Sequence, residues 1–257
     1  MQTFETTFDA ATDAYDKIRP SYVNELYDDI FKYKEIDAES SVLEIGIGTG
    51  KATGPILDRK CQLIALEPGA NLTAFVKDKF KIYSNFQVHN QMFQEYECPE
   101  ESFDFIYAAT TFHWIPEEYG YKRVYELLKH GGAFARFRYY AGADKTREAL
   151  TAEIQELYKT YTHSTRSPKE YGEEDAKKLA DVAIKYGFAD TQYKLYHWRK
   201  DFTADEYLQL LSTYPDHMKL KEENRQKLFQ GIHAAIQRHG GIHTVHYTMD
   251  LQLARKL

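Results

Sequence analysis

Cysteine is scarce in this chain, with only Cys61 and Cys98 among 257 residues. Two cysteines this far apart have no metal-ligand spacing, and they cannot build the disulfide scaffold of a small secreted domain. We therefore expect the protein to stay in a reducing compartment, the cytoplasm. Linkers rich in proline, glycine or serine are also missing, so we expect a single domain over residues 1–257.

A surplus of basic residues is absent as well. The 33 Lys and Arg residues are outnumbered by 39 Asp and Glu residues, which gives a net charge of −6. Proteins that bind nucleic acid need clustered basic side chains to neutralise phosphates. The chain also has no apolar run of membrane-spanning length and no signal-peptide pattern at its start. Neither nucleic acid nor a membrane is an expected partner, and the oligomeric state is left open.

Glycine is modest in number, 14 residues, but three glycines occupy alternate positions in Val-Leu-Glu-Ile-Gly-Ile-Gly-Thr-Gly, residues 42–50. The apolar start predicts a buried strand, and the glycines allow a sharp turn and close approach to a ligand. A dinucleotide-binding loop has its third glycine five residues after the first, where this chain has Lys51. The spacing therefore favours a nucleoside with a small zwitterionic tail, S-adenosylmethionine.

Glu67 supports this interpretation of the glycine segment. It follows a second apolar run, residues 62–66, and therefore stands at the carboxyl end of a predicted strand. Ligands of parallel sheets bind beyond these ends, and an acid about twenty residues after the glycines typically binds ribose hydroxyls. Without the glycine segment, Glu67 would be interpreted as an acid in a turn ahead of Pro68.

Strand and helix patterns alternate along the first half of the chain, which predicts an α/β fold with a parallel sheet. Predicted strands cover residues 41–45, 62–66, 86–88, 103–109, 133–137, 191–198 and 243–253, and predicted helices cover 51–59, 69–80, 117–129, 145–160, 168–186, 203–211 and 221–238. Thr203 and Glu206 have the spacing of a helix-capping box. The helices that interrupt the alternation predict a helical cap, about residues 139–172 and 202–238, over the strand ends.

Four features together resemble the class I S-adenosylmethionine-dependent methyltransferases: the 44–50 motif, Glu67, the strand beginning Phe103-Asp104, and Gly131-Gly132. Further segments are similar to a small-molecule branch of that family that includes trans-aconitate methyltransferases. These segments are residues 15–20, 111–114, 203–207, 240–241 and 251–256. The resemblance implies a seven-stranded, mostly parallel sheet with helices on both faces.

The resemblance also implies roles for individual residues. Cofactor contacts are expected from Tyr15, Arg19, Glu44, Gly46, Gly48, Gly50, Glu67, Pro68, Gln91, Met92, Phe93, Ala109, Thr110 and His113. Within this set, Glu44 would lie near the cofactor ammonium, and residues 91–93 would flank the adenine. Tyr15 and Arg19 would close the pocket, so we expect residues 1–22 to act as a lid.

The acceptor side is expected at Trp114, Arg138, Tyr139 and Tyr140. Residues 138–140 follow the predicted fifth strand, and Arg138 would pair with an anionic acceptor. A carboxylate is nucleophilic at neutral pH and needs no base; a protonated acceptor would use His113 as its base. The alternatives are a structural histidine and a surface arginine. We expect methylation of a small, anionic metabolite on a carboxylate oxygen.

Two other classes of function stay open at this stage. A nicotinamide-dependent oxidoreductase would use a similar sheet, although Lys51 at the third-glycine position argues against it. A methyltransferase-fold protein that binds without catalysis has the same motifs. No metal is expected, because His233, His239, His243 and His246 lack acid or thiolate partners at ligand spacing.

Overall fold

The computed structural model describes residues 16–142, 147–162 and 170–257. In these segments seven strands form one sheet in the order β3-β2-β1-β4-β5-β7-β6. The strands are β1 (Ser41–Ile45), β2 (Gln62–Leu66), β3 (Phe86–His89), β4 (Phe103–Ala109), β5 (Leu128–Gly142), β6 (Ala189–Thr203) and β7 (Ile242–Arg255). The α/β fold predicted from the alternation is confirmed.

Helices cover both faces of this sheet. They are α1 (Asn24–Tyr33), α2 (Thr53–Leu57), α3 (Ala70–Lys79), α4 (Glu117–Leu127), α5 (Glu148–Thr162), α6 (Glu173–Ile184), α7 (Ala204–Ser212), α8 (Pro215–Met218) and α9 (Glu222–Arg238). Short 3₁₀ turns lie at Phe93–Glu95 and Phe112–Trp114. Helices α1 and α8 have no counterpart among the predicted helices. The four residues of α8 are too few for a periodic pattern, whereas α1 was missed although it is ten residues long.

The strand order reverses between β1 and β4. Strands β1 to β5 pair in parallel, and β1 has β2 on one side and β4 on the other. The connections therefore leave in opposite directions from this point, which opens a crevice beyond the carboxyl ends of β1 and β4. The glycine segment follows β1, so the topology places it at the edge of this crevice.

Strands β5 and β6 extend beyond their predicted bounds. Strand β7 runs antiparallel between them and pairs with β5 from Ala133 to Gly142. The prediction that Arg138, Tyr139 and Tyr140 follow the fifth strand is therefore wrong, since all three lie within β5. The sequence pattern hid this extension because residues 138–142 are Arg-Tyr-Tyr-Ala-Gly and not an apolar run, while backbone pairing with β7 continues the strand.

Two apolar layers enclose the sheet. Alternate residues of the central strands face one layer or the other, and β1 is buried on both faces, with Val42 and Leu43 fully inaccessible. Glu44, in the middle of this strand, is also fully buried. A buried carboxyl group on a central strand needs polar partners, because burying an unpaired charge is very unfavourable.

A third apolar cluster joins the helices beyond the strand ends. Helix α9 packs against α5 and α7 through Leu150, Ile154, Leu228 and Ile232. The helical parts of the two predicted cap ranges begin later than expected, because residues 139–142 belong to β5 and residues 202–203 to β6. The assignment of residues 1–257 to one domain with this cap stays a proposal. None of the described helices is long and apolar enough to cross a membrane.

The capping box at the start of α7 is present as predicted. Thr203 Oγ1 accepts the Glu206 N–H at 3.3 Å, and the Glu206 carboxylate accepts the Thr203 N–H at 2.8 Å. We expect Thr203→Ala to lower the free energy of unfolding by about 1 kcal/mol, because it leaves a helix N–H without its acceptor. Urea denaturation measures this change. Thr203→Ser keeps the hydroxyl and serves as the control, and equal midpoints for all three proteins would contradict the prediction.

Candidate active site

A cavity of about 530 Å³ lies at the crevice between β1 and β4. Its volume is in the range of small-molecule sites. Predicted site residues that line it are Arg19, Gly46, Gly48, Glu67, Pro68, Gln91, Met92, Phe93, Ala109, Thr110, His113, Trp114, Arg138, Tyr139 and Tyr140. Tyr15 lies outside the described residues. The structure thus brings together residues from the glycine segment, three strand ends and β5.

Gly46 and Gly48 form the floor of the cavity. Both have left-handed backbone conformations, with φ values of +71° and +57°. A Cβ atom on Gly46 would lie 2.3 Å from the Thr111 side chain, whereas a Cβ on Gly48 would meet no atom within 4 Å. Gly46 therefore permits the loop to pack against the segment after β4, and Gly48 leaves open space on the cavity side.

Gly50 and Glu44 are not among the lining residues. A Cβ on Gly50 would lie 2.3 Å from the Phe80 ring, so this glycine serves packing beneath the loop. The Glu44 carboxylate accepts hydrogen bonds from Thr53 Oγ1 at 2.8 Å and from Tyr107 OH at 2.7 Å. The expectation that Gly50 and Glu44 contact the cofactor tail is therefore corrected: neither lines the cavity, and both pack against other parts of the protein next to the loop.

Glu67 connects the glycine segment to the end of β2. One carboxylate oxygen accepts the Gly48 N–H and the other accepts the Gly69 N–H, both at 2.9 Å. The residue is 4% exposed and lines the cavity. Hydrogen bonds from two backbone groups fix the orientation of the carboxylate at the edge of the cavity.

The segment after β4 contains a strained residue. Thr110 has φ +57°, which is unusual for a β-branched side chain. Its N–H donates to the Phe137 carbonyl at 2.7 Å, and its hydroxyl lies 2.7 Å from the Tyr22 hydroxyl. Tyr22 also packs edge-on against Phe137. Sequence reasoning missed Tyr22, because only the fold brings it to Thr110.

Arg19 joins the N-terminal segment to the cap. Its guanidinium donates to the Thr213 hydroxyl and the Thr213 carbonyl, both at 2.8 Å, and it lies 3.9 Å from the centre of the Tyr214 ring. Tyr214, Pro215 and Asp216 line the cavity on this side. These cap residues were not predicted, since no local motif marks them.

Arg138 lies at the side of the cavity formed by β5. Its guanidinium carbon is 4.5 Å from the centre of the Tyr140 ring, and Tyr140 stacks on Tyr171 at 3.8 Å. Tyr171 in turn donates to Asp250 at 2.7 Å. The Nε atom of Arg138 is buried and has no hydrogen-bond partner among the residues that the structure describes. Arg138 therefore lines the cavity beside Tyr139 and Tyr140 and carries one buried donor that no described residue satisfies.

His113 is less basic than its residue type suggested. Its ring is accessible from the cavity and lies 4.7 Å from the Trp114 ring. Desolvation by the surrounding protein, together with the positive charges of Arg138 and Arg136, lowers the pKa of His113 to about 4. The expectation that this imidazole titrates near neutral pH is therefore wrong, and the ring is neutral at pH 7.

The C-terminal histidines have partners other than a metal. His233 lies 3.3 Å from Asp205, and His239 lies 3.1 Å from Glu153. In the described segments, no group of three His, Cys, Asp or Glu side chains has an arrangement that would hold a metal ion. Metal-independent activity stays a prediction.

Residues 42–132 match the profile of a family described as a methyltransferase domain. The chain is also 26% identical over 229 residues to an uncharacterized methyltransferase-like protein of Schizosaccharomyces pombe, covering 89% of this chain and 83% of that one. The predicted enzyme class, S-adenosylmethionine-dependent methyltransferase, and the predicted cofactor are confirmed.

Solved structures share the fold. A putative type II methyltransferase of Anaeromyxobacter dehalogenans superposes with a TM-score of 0.65 at 15% identity, covering 93% of this chain and 98% of that one. Phosphoethanolamine N-methyltransferase 2 of Haemonchus contortus, in complex with S-adenosyl-L-methionine, has a TM-score of 0.55 at 16% identity. It covers all of this chain and 58% of that one. The seven-stranded methyltransferase fold predicted above is confirmed.

The environment of Glu44 predicts a pH-dependent stability. Burial raises the pKa of Glu44 from 4.5 to about 8, so the folded protein keeps a proton that the unfolded chain releases. The wild type should therefore lose stability as the pH rises from about 5 to 8, whereas Glu44→Gln has no such proton to keep. We expect the unfolding free energy of the variant, relative to wild type, to increase with pH by up to about 1.4 kcal/mol per unit.

Urea denaturation of both proteins at several pH values in this window measures the difference. Glu44→Ala is the comparison variant, because it removes the acceptor of Thr53 and Tyr107 and leaves a void. A difference between Glu44→Gln and wild type that does not change with pH would show that Glu44 is ionised in the folded protein.

Proposed function

We propose that the cavity holds S-adenosylmethionine against the glycine segment and a small anionic acceptor against β5, and that a carboxylate oxygen of the acceptor is methylated. The observation that carries this proposal is Arg138, a cation of the cavity lining whose buried Nε has no hydrogen-bond partner among the residues that the structure describes. An arginine in such a position can hold a carboxylate through parallel hydrogen bonds.

The residues at the glycine end fit the cofactor. Gly48 leaves open space above the backbone, and Glu67 offers carboxylate oxygens to a ribose. Gln91, Met92 and Phe93 would flank the adenine, and Ala109 with Thr110 would lie near the sulfonium. The cofactor supplies an electrophilic methyl group, and the chain supplies alignment and exclusion of water. The Haemonchus enzyme, which shares the fold, is in complex with S-adenosyl-L-methionine, and this supports the choice of cofactor.

The charges at the acceptor end favour an anion. Arg138 and Arg136 both act on His113, where their positive charges disfavour protonation. Asp250, the acid nearest to these arginines in the β5–β7 pairing, is engaged by Tyr171 and Gln252. Asp250 also interacts electrostatically with Arg136 and Arg138, but two arginines against this one acid leave a net positive charge, which attracts a ligand carboxylate.

A carboxylate acceptor requires no general base. It is ionised at neutral pH and attacks the methyl group directly, so proton removal is unnecessary. His113, neutral above a pH of about 4, would then contact the acceptor through its ring nitrogens as a hydrogen-bond partner. A protonated acceptor would need a stronger base than this imidazole provides near neutral pH.

The similarity to trans-aconitate methyltransferases supports the small-acid proposal, but this similarity is itself a prediction. The cytoplasmic location, the exclusion of nucleic acid and the lid role of residues 1–22 also stay predictions. Most of residues 1–22 lie outside the described residues. Labelled methyl transfer separates an active enzyme from a silent binding protein. Screening small organic acids against peptides, RNA and neutral amines decides the acceptor class, and label found only in a macromolecule would contradict the proposal.

Gly48→Val should abolish binding of S-adenosylhomocysteine, because the side chain would fill the open space over the loop. Isothermal titration measures the affinity. Gly131→Val is the matched control: Gly131 also has a left-handed φ, +73°, and open space at its Cβ, but it does not line the cavity. Both variants carry similar backbone strain, so loss of binding in both would mean that strain, and not occupied space, is responsible.

Arg138→Lys should raise the KM for the acceptor acid by about tenfold, because lysine keeps the charge but loses the planar fork. The Kd for S-adenosylhomocysteine should stay within about twofold of wild type. Steady-state kinetics with the acid identified by the screen measure the first quantity. Arg136→Lys is the control, since Arg136 lies on the same strand but donates to Tyr121 OH and does not line this cavity. An equal rise of KM in both variants would remove the assigned role of Arg138.

A further inference from the structure

Lys51 also lines the cavity and has no role in the proposed binding of the acceptor. It directly follows Gly50, and its side chain is 15% exposed. Its Nζ donates to the Asp16 backbone carbonyl at 2.5 Å. An ammonium group has three donors, so this contact satisfies only part of its capacity.

The charge of Lys51 is incompletely balanced. The Asp16 carboxylate lies 3.8 Å from Lys51 Nζ but 3.1 Å from Lys79 Nζ, so two lysines share one acid. Lys79 is held further by a hydrogen bond to the Thr49 carbonyl at 2.8 Å. Burial lowers the pKa of Lys51. The negative charge of Asp16 raises it, and the positive charges of Lys79 and Lys200 lower it further. An anion in the cavity would complete this cluster.

The other cation of the N-terminal segment is already engaged. Arg19 Nε donates to the Thr213 hydroxyl, Nη2 donates to the Thr213 carbonyl, and Nη1 lies 3.5 Å from Tyr139 OH. Its flat face is covered by the Tyr214 ring. Reorienting this guanidinium toward a ligand would break contacts with the cap. Lys51, in contrast, can donate to an anion while it keeps its hydrogen bond to Asp16.

We propose that Lys51 binds the carboxylate of the amino-acid tail of the ligand that occupies the glycine end of the cavity. This inference rests on the proposed function, because it takes that ligand to be S-adenosylmethionine or its demethylated product. Lys51 stands where a dinucleotide-binding loop has its third glycine. At this position its ammonium group would favour a ligand that places a carboxylate beside it.

The experiment compares two probes that differ only in the carboxylate. S-adenosylhomocysteine carries it, and S-adenosyl-3-thiopropylamine, its decarboxylated counterpart, does not. Wild-type protein should bind the first probe more tightly in isothermal titration. Lys51→Met should weaken the binding of S-adenosylhomocysteine by about 10- to 100-fold, which is the range for a hydrogen bond to a charged group. The affinity for the decarboxylated probe should stay nearly unchanged. Unchanged binding of this second probe also shows that the variant is folded.

Lys79→Met is the matched control, because Lys79 shares Asp16 but does not line the cavity. It should keep the wild-type ratio of the two affinities, even if both affinities fall. The inference is overturned if Lys51→Met keeps that ratio, or if Arg19→Met removes the preference while Lys51→Met does not. Failure of wild-type protein to bind either probe would instead contradict the placement of the cofactor in this cavity.

Discussion

The clamp between Glu67 and two backbone N–H groups is the interaction on which the site depends. The carboxylate joins Gly48 of the loop after β1 to Gly69 at the start of α3, each at 2.9 Å. Charge-assisted bonds of this kind are short and directional, so they define the relative position of two loops that the parallel sheet only brings near each other. Because Gly48 has a left-handed backbone and no Cβ, its N–H can point at Glu67 while its other side faces the cavity.

Burial divides the acids of this region into two kinds. Glu67 accepts two backbone N–H groups and lines the cavity, whereas Glu44 lies fully buried behind the loop, where burial raises its pKa to about 8. Among the lining residues, the cations Lys51 and Arg138 belong to different elements, the glycine loop and β5. The proposed cofactor and the proposed acceptor each carry a carboxylate, and this arrangement would give each carboxylate a separate cation.

The features predicted from the sequence are those that short segments encode. The bounds of β1, β2 and β4 were predicted correctly, because buried parallel strands are continuous apolar runs ended by turn residues. The length of β5 was not predicted, since residues 138–142 are stabilised by pairing with β7 and read Arg-Tyr-Tyr-Ala-Gly instead of an apolar run. Tyr22 and Thr213 were missed for the same kind of reason: their partners, Thr110 and Arg19, are distant in sequence. The low pKa of His113 likewise depends on arginines that only the fold places beside it.

Arg19 is a polar connection between the cap and the N-terminal segment. The cap also packs on the sheet, because Leu210 of α7 is buried in the sheet core and α9 contacts β7. Arg19 adds to this packing through Thr213, Tyr139 and Tyr214. Moving the cap away would leave a buried guanidinium without its acceptors, which costs about 1.5–3 kcal/mol for each lost charged hydrogen bond. Access for the acceptor is therefore linked to the N-terminal segment, and Asp16, three residues before Arg19, ties that same segment to the lysine at the glycine loop.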